Sequence, residues 1–375
     1  MIDKQKLKTL FSFLNLKKAS NDKLLFIGIL GAFFIFFIFL IFKYTNTFGG
    51  GDNFVHYRVS RYAFKYPHLF LNHWGKPLFT AFSAPFSYLG GYKGIQLFNI
   101  FCALSSAVFV YLIGKKLSLK GAHIAVFSLM SAPYFFLVST TALTEVFCAF
   151  VVVFAIYLFV CKRYFWSAIV ISFILFARTE GFIFIGGFAC CFLFLKQFKV
   201  LPFLLTGFFI YSVIGWFYFD DFLWVINQNP YQGAKDIYNH GTWHHYITNS
   251  TRIFGPVLTC MSLLGFIVSF YYAIKKKIKW TLFFLFSSCA VLYFMGHSIA
   301  WWLGKGGALG LFRVIVVITP IMAIYTIFLM DFIVSFFKSK QKENIVVMCL
   351  GFILMLQIIN TEVYKFDAGQ EEKVY

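Results

Sequence analysis

The chain has 375 residues, of which 60% are hydrophobic, 22% aromatic (55 Phe alone) and only 13% charged, about half the charged share of a water-soluble domain. That excludes an ordinary globular protein in water. The formal net charge of +19 does not point to nucleic acid either, because no long soluble basic module exists to hold it.

Residues 1–23 are basic, with Leu7, Leu10, Phe11 and Leu14 near helical spacing, and predict a cytoplasmic segment lying on the inner headgroups. The run 24–42 is close to the ~20 apolar residues that cross a ~30 Å hydrocarbon layer and predicts the first span. No small-residue cleavage site follows it, so it reads as an uncleaved anchor. A long outer loop, 43–93, comes next, and long loops in compact proteins are usually functional.

That loop opens Phe48-Gly49-Gly50-Gly51-Asp52-Asn53. Three glycines free the backbone where the span emerges and hold the following carboxylate near the membrane boundary. Then come Tyr66-Pro67-His68, Asn72-His73-Trp74-Gly75-Lys76-Pro77-Leu78-Phe79 and Ala84-Pro85-Phe86, a polar, aromatic segment expected to form short interfacial helices. A lone carboxylate after a span is commonly just solvated. Here a Lys between Gly and Pro follows it at the same face. A carboxylate and an ammonium near the lipid surface are the parts needed to deprotonate an acceptor hydroxyl and to hold a departing phosphate.

Further apolar runs at 94–114, 122–140, 146–161, 164–177, 182–195, 200–219, 252–274, 280–300, 314–336 and 344–360 predict, with the first, about eleven transmembrane helices in a single domain over 24–360. Glu145 falls at a tight outer turn between the third and fourth spans, either marking a helix end or sitting near Asp52. The runs on either side of Arg178-Thr179-Glu180 are too short to cross fully unless that turn is sunk below the outer surface. Arg178 and Glu180 would pair there, or Arg178 would bind phosphate or sugar. All eight Cys sit inside predicted spans and read as small hydrophobes; neither disulfides nor a thiolate metal site is expected.

The second long outer loop, 220–251, carries Asn229-Pro230-Tyr231-Gln232-Gly233 and Tyr238-Asn239-His240-Gly241-Thr242-Trp243-His244-His245-Tyr246. Tyr231, His244 and His245 suit carbohydrate, whose ring faces stack on aromatics while its hydroxyls take hydrogen bonds. Interfacial packing is the plainer reading. A metal site is the other rival, but Gly241 argues against a helix that would align the histidines, and no nearby acid completes a zinc motif. A third outer segment, 297–313, holds Trp301-Trp302, Lys305 and Arg313. It reads as an aromatic belt, or as a phosphate contact through the guanidinium of Arg313. An acidic tail, 361–375, is expected outside.

Orientation follows from the basic loops. Twenty of the 33 Lys and Arg, including Lys4 to Lys23 before the first span and the Lys275/Lys276/Lys277/Lys279 cluster, fall on one side, which is therefore cytoplasmic. Asp52, Glu145, Glu180, Asp220, Asp221 and Asp236 fall on the other. Any chemistry is expected outside.

A first span, an Asp just beyond it and a His-Trp-Gly-Lys-Pro-Leu segment together resemble the integral-membrane glycosyltransferases of the GT-C class, particularly the relatives of protein O-mannosyltransferase and lipid A aminoarabinose transferase. That family carries a Lys-Pro-Pro-Leu-like stretch, whereas here Lys76-Pro77 runs directly into Leu78. The specific residues lie within 49–90, while the order of spans extends over most of the chain. The resemblance implies a transferase that moves a sugar from a polyprenyl-phosphate donor to an acceptor hydroxyl of a glycan, lipid or protein on the outer face. Asp52 would be the general base with Glu145 beside it, and Lys76 would face the lipid phosphate with Arg313 second. His73, Trp74, Arg178, Glu180, Tyr231, His244 and His245 complete the candidate substrate contacts. No protein-bound metal is assigned; a divalent cation as cofactor stays open, with no clear carboxylate cage for it.

Two other classes compete. A transporter or lipid-linked-sugar flippase would place ionisable residues near the midplane and commonly show internal repeats; here carboxylates collect at one face, and only Asp331 lies well within a run. An O-antigen ligase-like transferase would use arginines and a His without a base Asp. The Phe/Ile/Lys-heavy composition is compatible with an AT-rich bacterial gene, which places the expected protein in the inner membrane with its active face in the periplasm.

Overall fold

In hydrocarbon a backbone N–H or C=O has no water to turn to and must bond within its own segment, so the apolar runs become helices. The computed structural model describes residues 21–228, 240–305 and 309–359, and among these it is all-helical, with no strand. The main helices are α1 (Asn21–Lys43), α2 (Gly50–Tyr62), α3 (Pro77–Lys116), α4 (Ile124–Met130), α5 (Pro133–Val138), α6 (Glu145–Val160), α7 (Tyr164–Ser172), α8 (Phe182–Phe194), α9 (Thr206–Phe219), α10 (Pro256–Ile274), α11 (Trp280–Ser287), α12 (Tyr293–Trp302), α13 (Thr319–Val334) and α14 (Lys340–Ile359). Single turns fill the intervals. Tyr231, Asp236, the tail 361–375 and nearly all of the basic segment 1–23 lie outside the described residues.

Seven stretches are long and apolar enough to cross a membrane: Asp22–Lys43, Pro77–Lys116, Phe198–Phe219, Pro256–Ile274, Trp280–Trp302, Phe312–Val334 and Lys340–Ile358. Three more apolar helical stretches, Glu145–Val160, Tyr164–Phe176 and Thr179–Phe194, are shorter. Phe312–Val334 is 89% buried in its apolar window and Asp22–Lys43 only 17%. The former is the central post of the bundle, and α1 is a rim helix facing lipid.

The run 122–140 does not form one span. It breaks at Ser131–Ala132 into the short helices α4 and α5. Pro133 supplies the cause: it cannot donate a helical hydrogen bond, and it pushes the residue before it out of the helical region, so Ala132 takes ψ 113. The first outer loop is mostly helix. It holds α2, a 3-10 turn at Pro67–Leu71 and an outer arm of α3 that begins at Pro77. This arm joins the membrane part of α3 at Gly91, where φ 59 and ψ −143 open a kink that a residue with Cβ would resist.

Four helix ends repeat one device. Ser118, Lys162, Lys196 and Lys276 all take positive φ, between 56 and 59, just past the ends of α3, α6, α8 and α10. In each case the following N–H reaches back to the last helical turn, as in Arg163 N to Leu158 O and Gln197 N to Phe192 O, both 2.8–2.9 Å. This is a Schellman cap with Lys in three of the four positions where Gly is usual. A cation there complements the negative end of the helix dipole.

Two ion clusters sit at the two ends of α1. At its start, Asp22 pairs with Lys340 at 2.8 Å, Lys340 with Glu343 at 3.2 Å, and Glu343 with Lys120 at 2.6 Å. Asp331, the one acid predicted well within a run, accepts from Lys120 N and from Tyr272 Oη, each at 2.7 Å, and so belongs to this cluster. The other cluster lies just beyond the far end of α1. A helix of this length spans about 33 Å, close to the hydrocarbon thickness.

Candidate active site

The outer cluster is assembled from four distant parts of the chain. Asp52 lies in the first turn of α2. Glu145 is the first residue of α6, Arg178 and Glu180 flank Thr179 in the turn between α7 and α8, and Arg313 follows Phe312 at the start of the 3-10 turn that leads into α13. Asp52, Glu145 and Glu180 all stand in the first turn of a helical segment, where backbone N–H groups are unsatisfied and negative charge is favoured.

Arg313 links two of these carboxylates. Its Nη2 pairs directly with Asp52 Oδ2, its Nε lies 3.4 Å from Glu145 Oε1, and its Nη1 donates to Gly49 O at 3.4 Å. Gly49 has φ 95, and a Cβ there would lie 2.4 Å from Arg313 Nη1. The first glycine of the Gly49-Gly50-Gly51 run is therefore what lets the guanidinium reach the backbone. Arg178 continues the chain of charges. Its Nη1 is 2.9 Å from the same Glu145 oxygen and donates to Thr144 Oγ1 at 3.2 Å, while its Nε and Nη2 hold Glu180 Oε1 at 2.9 and 2.6 Å. Of the two roles weighed for Arg178, pairing with Glu180 is the one observed. His297, on α12, stands 3.8 Å from Glu180 Oε1.

Glu145 is not at a surface turn. It is 2% exposed, and residues 139–144 before it are all buried. A buried turn leaves backbone groups that water would otherwise satisfy, and here side-chain amides take that role. Asn46 donates to Leu137 O and Thr140 Oγ1, Gln96 to Thr140 O, and Asn99 to Thr141 O and Leu143 O, all at 2.6–2.9 Å. Asn53 Oδ1 accepts from Ala142 N at 2.6 Å, and its amide donates to Tyr92 Oη at 2.7 Å. These four amides are distant in the chain and invisible to local hydropathy.

Lys76 caps α3 and is 5% exposed. Its backbone, φ 61 and ψ 98, lies in a region sparsely populated for residues with Cβ, and such strain persists only where the surroundings enforce it. Its charge acts on His56 and Glu180, which places it within electrostatic reach of the cluster. His73 packs on Trp224 with ring centroids 4.7 Å apart, and its Nε2 is buried without a hydrogen-bond partner. Burial, partly offset by a backbone hydrogen bond to Trp224 and reinforced by Lys76, holds its imidazole below the usual histidine range. Trp74 is half-buried in the turn between His73 and Gly75.

The structure thus joins Asp52, Glu145, Arg178, Glu180 and Arg313 directly, with Lys76 nearby. His245 plays a supporting part. Its Nε2 donates to Gly310 O at 2.8 Å and its ring stacks on Phe312 with centroids 5.3 Å apart, which steadies the residue before Arg313. His244 contacts Trp243, centroids 5.4 Å apart, and no contact ties it to the cluster. Trp301 packs beneath the second outer loop, where its carbonyl accepts from Gly241 N at 3.1 Å, while Trp302 is exposed as a belt residue would be. Sequence reasoning passed over His56 and His297. The i, i+4 spacing of Asp52 and His56 was the available signal for the first.

Among the described residues no group of three or more His, Cys, Asp or Glu is arranged to hold a metal ion; the space between the carboxylates is filled by the two guanidinium groups. Comparison with family models, curated proteins and solved structures gives no significant match.

Proposed function

We propose that this chain is an inverting membrane glycosyltransferase of the GT-C class. It would take a sugar from a polyprenyl-phosphate donor and pass it to an acceptor hydroxyl on the outer, periplasmic face of a bacterial inner membrane. One juxtaposition carries the reading: a partly exposed carboxylate at the exit of the first span, Asp52, shares a cluster with Arg313, Arg178 and Lys76, the cations an anionic leaving group requires. In the GT-C arrangement of about eleven crossings, the three shorter apolar helices would also enter the membrane, with the Arg178 turn sunk between them.

Chemically, the Asp52 carboxylate takes the proton of the acceptor hydroxyl as that oxygen bonds to the anomeric carbon. The bond from that carbon to the phosphate oxygen breaks on the opposite face, and polyprenyl phosphate leaves with the electron pair. Lys76 and Arg313 meet the negative charge that develops on it. A phosphate already present on the donor makes a second carboxylate unnecessary as nucleophile. Glu145, enclosed and shared by two guanidiniums, orients Arg178 and Arg313.

The test is sugar transfer by the protein in lipid nanodiscs with a panel of polyprenyl-phosphate sugars, comparing wild type with Asp52→Asn. Loss of transfer in a folded variant supports the reading. Undiminished transfer refutes it, and movement of donor lipid across vesicles with no transfer would favour a flippase.

A further inference from the structure

His56 is a buried polar group near the outer cluster, and the mechanism above has no use for it. It stands on α2 four residues after Asp52, hence one turn further along the same helical face. It is 6% exposed, and its ring meets the edge of Phe79 with centroids 5.9 Å apart. Its Nδ1 is fully enclosed and makes no hydrogen bond. An unsatisfied buried nitrogen destabilises a fold, so one kept in a native structure calls for an explanation. A leucine would fill the same space without that penalty.

The cations Lys76, Arg313 and Arg178 act on the ring, and the Asp52 carboxylate stands one turn away on the same helix. Burial first, and these cations next, hold the imidazole well below the usual histidine range, so it stays neutral and keeps one N–H and one lone pair. Where Lys76, Arg178 and Arg313 already provide positive charge, a neutral ring adds direction without repulsion. We propose that His56 is a substrate-contacting residue whose imidazole donates a hydrogen bond to a phosphate oxygen of the lipid donor. This rests on the glycosyltransferase reading, which it deepens by adding a neutral donor to the cationic ones.

The experiment measures binding of polyprenyl phosphate without sugar to the full chain in nanodiscs, together with thermal unfolding, for wild type, His56→Leu, His56→Gln and Lys76→Ala. A hydrogen bond to a charged group predicts that His56→Leu binds about tenfold more weakly while melting no lower than wild type. His56→Gln, which places a polar amide near the Nε2 position, the ring nitrogen left to reach the phosphate when Nδ1 is enclosed, should retain most of the affinity. Wild-type binding by His56→Leu overturns the proposal, and so does an equal loss in both His56 variants accompanied by a lower melting temperature. If Lys76→Ala alone loses binding, only the role of His56 falls. If neither Lys76→Ala nor His56→Leu loses it, the glycosyltransferase reading falls with it.

Discussion

Asp52 and Arg313 are 261 positions apart in sequence, yet their side chains form a direct ion pair. The residue proposed as base is therefore engaged by a guanidinium, and a carboxylate so engaged offers a hydroxyl fewer free lone pairs. A phosphate entering beside Arg313 would compete for that guanidinium and release Asp52. Donor binding would thus prepare the base.

Replacing the base tests this directly. Asp52→Asn is expected to lower sugar transfer by ~10²–10⁴-fold, the usual contribution of a positioned general base. Arg313 keeps its contact with Glu145, so the thermal transition should shift little. Transfer assays and melting curves on the same nanodisc sample separate the two effects.

Arg313→Lys should fail despite conserving charge. One ammonium cannot reach Gly49 O, Asp52 and Glu145 together as a planar fork does. Donor affinity and turnover should both fall, read as a rise in KM with a drop in kcat. Unchanged kinetics would mean that charge alone matters at this position.

Gly49→Ala introduces a Cβ 2.4 Å from Arg313 Nη1 and 2.9 Å from Leu143 Cδ1, at a φ of +95. The left-handed backbone alone costs about 1–2 kcal/mol for a residue with Cβ. A lower melting temperature is expected together with reduced transfer, because the guanidinium must move. Gly51, whose Cβ would meet nothing within 4 Å, should accept Ala with a much smaller effect.

Acid should weaken the native state through His56. The unfolded chain takes up a proton near the ordinary histidine value of about 6.5, whereas the native imidazole, buried and in the field of three cations, resists it to well below that. The unfolded state then binds more protons, so stability is greatest above about pH 6.5 and falls as pH drops below it. Melting temperatures between pH 7.5 and 5 should show a shallower acid-side decline for His56→Leu than for wild type.

Much of the outer cluster was legible from residue type and position. Asp52 after the first span, Lys76 between Gly75 and Pro77, and Arg313 before a late span were each singled out by position, and the structure pairs Asp52 with Arg313, with Lys76 in electrostatic reach of Glu180. Hydropathy also located the apolar segments. It could not show that Pro133 breaks the 122–140 run, since a helix break inside an apolar stretch changes no average. It likewise misplaced Glu145 at a surface turn, because the amides that let residues 139–144 be buried come from Asn46, Asn53, Gln96 and Asn99, and pairing between distant segments leaves no local trace. His245 has the composition expected of a sugar contact, but its nitrogen is engaged by Gly310.

Asn99→Leu measures the worth of that bracket. It strands the carbonyls of Thr141 and Leu143, which Asn99 now serves at 2.7 and 2.8 Å. A buried acceptor without a partner costs ~1–3 kcal/mol, and the melting temperature should fall accordingly.

The order of synthesis gives those amides a further consequence. All four precede the turn they hold, and chains emerge from the ribosome with their N-terminal parts first. Residues 137–143 would thus meet a ready-made polar cradle during membrane insertion. A variant lacking one of the amides would be sorted at that moment, so its defect should show first as a low yield of inserted protein and rapid proteolysis, ahead of any weakness in the molecules that survive.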